Sequence, residues 1–206
     1  MGNVVLLSLV FYLVSAIIQM FVHELGHYIF GLFTGYRFLY FQVGPLFLYK
    51  DKNFKLHLNI EKEFGGQCVM VPKTKESVSF VLYNLGGIIA NIMLSAIGIF
   101  MAVCSSGYVK LFFLMLFVAG AIKILNNGIP RKRSKYPTDG YNVCLLCKYK
   151  TTREDYVNYL KLYELVFWEQ EIDKKSYDRD IRSEETEEGL LYHYAIRDML
   201  EKITET

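Results

Sequence analysis

Two histidines and a glutamate lie within five residues, His23-Glu24-Leu25-Gly26-His27, inside an otherwise apolar stretch. Residues four apart on a helix are separated by about 40° of rotation and roughly 6 Å of rise, so His23 and His27 project from one face. In the H-E-x-x-H pattern the two histidines bind zinc and the glutamate acts as a general base on water. Such a site needs a third protein ligand and an open position. The pattern therefore predicts a zinc site whose third ligand lies elsewhere in the chain.

The elements that must position this motif are apolar helices of membrane length. The chain has 206 residues, of which 52% are hydrophobic, and a mean hydropathy of +0.21, which is more apolar than an ordinary soluble domain. Residues 4–33, 77–105 and 108–127 are predicted to be helices that cross about 30 Å of hydrocarbon. The first lacks the positive flank of a signal peptide, so we expect it to be retained as a spanning helix. An ionisable cluster in such a helix marks a functional site that faces protein or water.

Between the first two spans, residues 36–72 change to a strand pattern. Apolar and polar residues alternate from Phe54 to Glu61 after a predicted turn at 51–53, which indicates a β-hairpin at the membrane interface, with Gly65-Gly66 leading to another short strand. A strand edge with unpaired backbone groups cannot face lipid. The edge must therefore be buried in protein, lie at the interface or pair with another strand, and an unwound substrate along residues 54–60 is one candidate for that strand. His57 is a conceivable zinc ligand, but it lies on the polar face of its strand, and a solvated histidine is the favoured interpretation.

Residues 151–206 are predicted to form a cytosolic helical tail after a membrane core of residues 1–150. From Lys148 to the end the chain has ten Lys or Arg and fifteen Asp or Glu, which is typical of a water-exposed region. Helical spacing predicts one helix that includes Tyr156–Phe167 and a second over Glu185–Ile203. We expect them to pack on each other or on the membrane surface, a partner-binding module being the alternative. His193 in the second helix is expected to be a surface residue.

Basic residues in the connections predict the orientation of the spans. Residues 34–77 carry seven Lys or Arg and residues 131–135 carry four, whereas the other side has only Lys110 and the N-terminus. The positive-inside rule places the hairpin, the basic loop and the tail in the cytoplasm, with the N-terminus outside. The C-terminal ends of the first and third spans then lie on the same side.

Residues 137–140, Pro-Thr-Asp-Gly, follow the third span and supply the best candidate for the third zinc ligand. A carboxylate oxygen is an acceptable ligand, and Gly140 permits a turn that aims Asp139 inward. Alone, Asp-Gly is a common turn dipeptide. The topology brings Asp139 to the membrane face where His23 and His27 lie, and this combination favours the ligand interpretation.

In their order along the chain, these motifs resemble the site-2 protease family (M50-type) of intramembrane zinc metalloproteases. The resemblance covers residues 1–145 and implies a mainly α membrane protein with a three-helix core and a membrane-associated sheet. The motifs that carry it are His23-Glu24-Leu25-Gly26-His27 in the first span, Gly87 and Asn91 in the second, and Asn127-x-x-Pro130 with Pro137-Thr138-Asp139-Gly140 after the third.

The resemblance also implies a role for each site residue. His23, His27 and Asp139 would hold one zinc ion per chain, and Glu24 would activate water. On spacing alone, Asn91 in the second span is best interpreted as a packing hydrogen bond, whereas the resemblance favours a substrate contact or polarisation of the substrate carbonyl.

The implied function is hydrolysis of membrane-anchored proteins or peptides within or near their transmembrane segment. The alternative is a proteolytically silent scaffold or chaperone that retains the zinc site, although Glu24 speaks against it because a scaffold needs no general base. The expected partners are such a substrate and the lipid bilayer, with a homo-oligomer or a regulatory partner of the tail as further options and no nucleic acid. The expected location is the plasma membrane of a prokaryote.

Overall fold

Helices dominate the described part of the chain, and a β-hairpin separates the first two of them. The computed structural model describes residues 2–51, 53, 55–73, 79–132, 137–169 and 186–204. Phe54 of the predicted strand, the predicted helix start at Ser77 and the one at Glu185 lie outside these residues. The elements are α1 (Gly2–Phe33), β1 (Tyr36–Lys50), β2 (Leu56–Pro72), α2 (Phe80–Cys104), α3 (Gly107–Gly128), α4 (Asp139–Lys148), α5 (Lys150–Phe167) and α6 (Leu191–Thr204).

Three helices, α1, α2 and α3, are long and apolar enough to cross a membrane. They confirm the three predicted helices, with ends that differ from the prediction by a few residues. Large apolar side chains cover their outer faces; Val5 is 70% exposed and Val103 is 77% exposed. Exposed apolar surface of this extent suits contact with hydrocarbon chains.

The helices α1 and α2 approach each other backbone to backbone. A Cβ atom built on Gly86 would lie 2.7 Å from the carbonyl oxygen of Gly26, and one on Gly26 would meet the carbonyl oxygen of Gly86. Small residues permit such close packing of apolar helices. The contact brings the His-Glu motif of α1 directly against the face of α2 that carries Asn91.

The sheet is a two-stranded antiparallel hairpin of β1 and β2. Its register pairs Tyr36 with Pro72 and Gly44 with Gly65, and then slips so that Leu46 pairs with Ile60. The expectation that Gly65-Gly66 leads to a separate strand is wrong. The hairpin pairs on both sides of this irregularity, and a second register shift lies between Phe38 and Tyr40, so both glycines lie inside one continuous strand.

The hairpin lies along α1 and therefore beside the His-Glu motif. The rings of Phe21 and Phe41 meet edge to face at 5.7 Å. Near the hairpin turn, apolar side chains of β2 are exposed: Leu56 and Leu58 are each 64% exposed, and Ile60 is 81% exposed. The expected location of the hairpin at a membrane interface stays a prediction.

The tail packs on the core and is not a separate appendage. An ion pair joins Glu164 of α5 to Arg37 of β1. The indole Nε1 of Trp168 donates a hydrogen bond to the carbonyl oxygen of Lys50 at 2.9 Å, and the hydroxyl of Tyr192 donates to Asn142 of α4 at 2.7 Å. The tail helices thus contact both the hairpin and α4, which the sequence prediction of a self-packing pair did not include.

The predicted surface position of His193 is wrong. Its side chain is buried, with 3% exposure, on the side of α6 that also buries Tyr192 and Ile196. The ring of Tyr192 packs against Tyr156 of α5 at 4.8 Å. This face of α6 is covered because α6 packs on the rest of the protein.

Candidate metal centre and active site

The structure brings together the three residues that the sequence suggested as metal ligands. Nε2 of His23 lies 3.2 Å from Nε2 of His27. The Asp139 Oδ2 atom lies 3.1 Å from Nε2 of His23 and 3.5 Å from Nε2 of His27. Both imidazoles are buried, with 3% and 7% exposure. These three side chains form a group that could hold a metal ion.

The hydrogen bonds around the imidazoles leave their Nε2 lone pairs directed at one another. Nδ1 of His27 lies 2.8 Å from the carbonyl oxygen of Tyr83, and because a carbonyl can only accept, Nδ1 carries the proton. Nδ1 of His23 lies 2.6 Å from Oδ1 of Asn91. The buried Oδ2 of Asp139 has no hydrogen-bond partner among the described residues. Nε2 of His23, Nε2 of His27 and Oδ2 of Asp139 therefore converge on one point, where a cation could accept a lone pair from each of them.

The distances between these donors fit a zinc ion. Zinc bonds of about 2.0–2.1 Å in a tetrahedral arrangement place neighbouring ligand atoms about 3.3 Å apart. The three measured separations fall between 3.1 and 3.5 Å. Two imidazole nitrogens and a carboxylate oxygen are also an established ligand set for catalytic zinc, so His23, His27 and Asp139 fit the ion in chemistry and in spacing.

Asp139 is placed by the start of α4, which begins at this residue. Thr138 is the N-cap, and its Oγ1 accepts a hydrogen bond from the backbone N–H of Tyr141 at 3.3 Å. The same Oγ1 accepts from the N–H of Arg131 at 3.0 Å and donates to the carbonyl oxygen of Ile129 at 2.9 Å. One buried hydroxyl thus ties the start of α4 to the segment that follows α3.

A second contact fixes the same corner. A Cβ atom built on Gly140 would meet the carbonyl oxygen of Gly128, so α4 can approach the end of α3 only with glycine at this position. Asp139 and Gly140 are therefore the first two residues of a helix, and the turn that an Asp-Gly dipeptide alone indicates is not formed. The consequence is that Asp139 points from the first turn of α4 towards α1.

The charge of Asp139 suits a ligand role. Burial of the carboxyl raises its pKa, but when His27 and His23 are protonated in the metal-free site, their charge and hydrogen bonds outweigh burial and bring the pKa well below its usual value. The group is therefore a carboxylate at neutral pH, which is the form that binds a metal.

Glu24 lies beside the three ligands and is not one of the group that could hold the ion. It is buried, with 4% exposure, and lines the same cavity as both histidines. A Cβ atom on Gly66 of β2 would lie 2.9 Å from Oε1 of Glu24. Glycine in the strand thus makes room for the Glu24 carboxylate in the cavity that both histidines line.

Gly87 of α2 makes room for the imidazoles in the same way. A Cβ atom at this position would lie 2.6 Å from Cε1 of His23 and 2.6 Å from Nε2 of His27. Real side chains do not approach so closely, and the neighbouring atoms belong to the proposed ligands. Any larger residue at position 87 would displace the ligand atoms.

The site opens into a cavity of about 790 Å³. The walls come from the motif of α1, from residues 66–69 of β2, and from α5 and α6, which contribute chiefly aromatic and aliphatic side chains. Neither Asn91 nor residues 55–60 of the hairpin are among the lining residues. The tail therefore forms part of the wall of the cavity that contains the candidate metal site.

The match to a known family covers almost the whole chain. A family model described as peptidase family M50 matches residues 11–205. The chain belongs to peptidase family M50, the site-2 protease family. No curated protein and no solved structure matches it. The family identity makes the protein a hydrolase of the metalloprotease class, and the three apolar helices agree with the membrane location of the family.

The match extends past residue 145, where the sequence resemblance ended, and includes the tail of this M50 peptidase. M50 peptidases depend on zinc, and the three-ligand group of His23, His27 and Asp139 is where such an ion could bind.

Asn91 makes hydrogen bonds to residues of α1, which agrees with the interpretation from spacing alone. Its side chain is fully buried, Oδ1 faces His23, and Nδ2 donates to the carbonyl oxygen and to Oε1 of Gln19 at 2.8 and 2.6 Å. The substrate contact stays a prediction, since these bonds describe the protein without substrate. The observed role is a hydrogen bond to a proposed metal ligand.

Two further polar residues lie near the histidines: Asn127, which the sequence suggested only as part of the Asn127-x-x-Pro130 motif, and Gln19, which received no role from the sequence. Nδ2 of Asn127 lies 3.2 Å from Nε2 of His23, and Asn127 lines the cavity. Gln19 lies one helical turn before His23 on the same face of α1. The four-residue spacing was visible in the sequence, but the partners of Gln19 come from α2 and α3, which only the folded structure shows.

Proposed function

We propose that this M50 peptidase is an intramembrane zinc metalloprotease that hydrolyses peptide bonds of membrane-anchored proteins or peptides within or near their transmembrane segment. The observation that carries the proposal is the convergence of Nε2 of His23, Nε2 of His27 and Oδ2 of Asp139, with the Glu24 carboxylate beside them. The zinc ion, one per chain, would be held by these three residues.

Each residue of the site has a defined part in this reaction. Bound zinc supplies a Lewis acid that polarises the scissile carbonyl and makes water more acidic. Glu24 takes the proton from the attacking water and passes it to the leaving amine, so it serves first as base and then as acid. Asn127 presents an amide at the cavity wall 3.2 Å from Nε2 of His23, where it can donate a hydrogen bond to the substrate carbonyl as negative charge develops on its oxygen.

The substrate must be an extended segment at the site. A helix buries its own backbone groups, so the scissile peptide has to unwind before water can attack, and its freed backbone groups then need partners. Strand β2 lines the cavity at residues 66–69, and an extended peptide can add to a strand edge. The geometry favours this stretch over residues 54–60, because residues 55–60 do not line the cavity.

The tail takes part in holding the substrate. Helices α5 and α6 line the cavity with side chains such as Tyr159, Leu160 and Met199, and a cavity of about 790 Å³ is in the range that protein ligand sites occupy. The substrate residues next to the scissile bond would lie against this wall. Apolar or aromatic substrate side chains fit its composition.

The proposed orientation places the hairpin, α4 and the tail on the cytoplasmic side of a prokaryotic plasma membrane, with the N-terminus outside. The basic residues near these elements support it. The C-terminal ends of α1 and α3 and the ligand Asp139 then share one side of the bilayer, where water can enter the cavity from the cytoplasm.

The test is proteolysis by purified protein in liposomes, with a panel of single-span proteins and signal peptides as substrates. Cleavage that stops when a chelator removes zinc and returns when zinc is restored supports the proposal. Full zinc occupancy without cleavage of any panel member would favour the scaffold or chaperone, the alternative that keeps the metal site without the reaction.

A further inference from the structure

A row of polar residues extends the metal site into the apolar interior of the helix bundle. Ser15, Gln19, His23 and His27 follow one another at intervals of four residues on α1, and all four are buried. The histidines are proposed ligands. Gln19, which is 1% exposed, has no part in the reaction described above, although burial of an amide among apolar helices requires that it be hydrogen-bonded.

The amide of Gln19 is held in one orientation by α3. Its Nε2 donates to the carbonyl oxygen of Leu116 at 3.0 Å and lies 3.4 Å from Oγ of Ser95. A backbone carbonyl can only accept, so the NH₂ group must face α3. The oxygen Oε1 of Gln19 is thereby turned towards α2, where Nδ2 of Asn91 donates to it at 2.6 Å.

The fixed orientation of the Gln19 amide determines the orientation of the Asn91 amide, which in turn determines the tautomer of His23. Nδ2 of Asn91 donates both to Oε1 and to the backbone oxygen of Gln19, so Oδ1 of Asn91 must be the atom that faces His23. An amide oxygen accepts, and therefore Nδ1 of His23, at 2.6 Å, carries the proton. That tautomer leaves the lone pair of Nε2 available on the side where Asp139 lies.

The absence of a side chain at Gly120 of α3 is a second observation that supports this chain of hydrogen bonds. A Cβ atom on Gly120 would meet both Nε2 of Gln19 and Oγ of Ser95. With glycine at this position, the Gln19 amide can reach the carbonyl of Leu116. All three apolar helices thus contribute to one continuous set of hydrogen bonds.

We propose that Gln19 is a positioning residue for the metal ligand His23, which it orients through Asn91. The relay consists of the Leu116 carbonyl, Gln19, Asn91 and His23, and it fixes both the tautomer and the ring direction of the imidazole. The inference rests on the zinc site of the proposed function and does not require that a substrate be known. Loss of such an outer partner of a metal ligand typically lowers metal affinity about 10- to 100-fold.

The test measures zinc affinity by chelator competition for the full-length protein and for Gln19→Leu, Asn91→Ala and the double variant. We expect each single variant to bind zinc about 10-fold more weakly. The double variant should bind no more weakly than Asn91→Ala alone, because residues in one chain of bonds do not act additively. The matched control is Ser15→Ala, a buried residue one turn away whose Oγ has no hydrogen-bond partner among the described residues; its affinity should equal that of wild type.

Two further measurements separate positioning from a general effect on folding. Gly120→Ala, a substitution on α3, should displace the Gln19 amide without changing any residue of α1. It should weaken zinc binding, as Gln19→Leu does. In zinc-free protein, ¹⁵N NMR of His23 should show the Nδ1–H tautomer in wild type and a mixture of tautomers in Gln19→Leu.

Different outcomes overturn different claims. Wild-type zinc affinity in Gln19→Leu, additive losses in the double variant, or an unchanged His23 tautomer would each overturn the relay while leaving the zinc site intact. Failure of the wild-type protein to bind zinc would overturn the proposed site itself, and the relay with it.

Discussion

Oδ2 of Asp139 lies 3.1 Å from Nε2 of His23. These atoms belong to α4 and α1, which are separated in the chain by the hairpin and by two apolar helices. The site therefore depends on elements that hold α4 in place as much as on the His-Glu motif itself.

Replacement of Asp139 by alanine should abolish stable zinc binding. Two imidazoles remain, and two ligands do not hold a catalytic zinc ion. The measurement is zinc content after dialysis, compared with wild type and with His23→Ala, which should lose the ion equally. A full complement of zinc in Asp139→Ala would place the third ligand elsewhere.

Substitution of Gly87 by alanine should cost the protein its zinc even though no ligand is changed. The added Cβ would lie 2.6 Å from Nε2 of His27 and push the imidazoles apart. Gly98→Ala is the matched control on the same helix, since its Cβ would come no closer than 3.3 Å to any neighbour. Equal zinc affinity of the two variants would show that the ligands tolerate the displacement.

Thr138→Val should weaken zinc binding and lower stability together. The substitution keeps the shape of the side chain but removes a hydroxyl that joins three backbone groups near Asp139. We expect a loss of about 1–2 kcal/mol in the free energy of unfolding, measured by thermal unfolding with and without zinc. Ser106→Ala is the control, because Ser106 begins α3 without a side-chain cap bond, and it should change neither quantity.

The ion pair between Arg37 and Glu164 should hold the tail against the hairpin. Removal of the arginine, as in Arg37→Met, leaves the Glu164 carboxylate buried without its cation. We expect a cost of about 1–3 kcal/mol, less than for a fully buried pair because the Arg37 side chain is 41% exposed. Limited proteolysis should then cut the tail faster while zinc content stays unchanged.

The exposed pair of Lys148 and Glu188 serves as the control for the tail contact. Its atoms are 3.9 Å apart and both side chains are more than half exposed, so Lys148→Met should leave the proteolysis rate unchanged. Equal protection of the tail in both variants would mean that the Arg37 pair does not anchor it.

The sequence predicted the parts of this fold that depend on local patterns. The long apolar runs predicted the three long apolar helices, because the length and hydropathy of one segment decide whether it can form a helix of membrane-spanning length. The relation of Asp139 to His23 was also predictable, since the count of spans sets which helix ends share a side. These features were predictable because they depend on the composition of one segment or on the order of the segments along the chain.

The features that sequence reasoning missed depend on contacts between distant segments. The register shift that pairs Leu46 with Ile60 could not be predicted from the alternation of apolar and polar residues. Alternation indicates which face of the sheet a side chain occupies, and it does not indicate which residues pair. The burial of His193 requires knowledge of what covers α6. Gln19 looks like an isolated polar residue until the carbonyl of Leu116 and the amide of Asn91 are placed beside it.

The central claim is that Glu24 acts as the general base beside a zinc ion held by other residues. Its most direct test compares wild type with Glu24→Gln, which keeps the size of the side chain and removes its basicity. The measurement pairs zinc content with the rate of cleavage of one membrane-anchored substrate in liposomes. We predict equal zinc in both proteins and a rate at least about 100-fold lower in the variant. Wild-type cleavage by Glu24→Gln, or loss of zinc from it, would contradict the assignment of Glu24 as base.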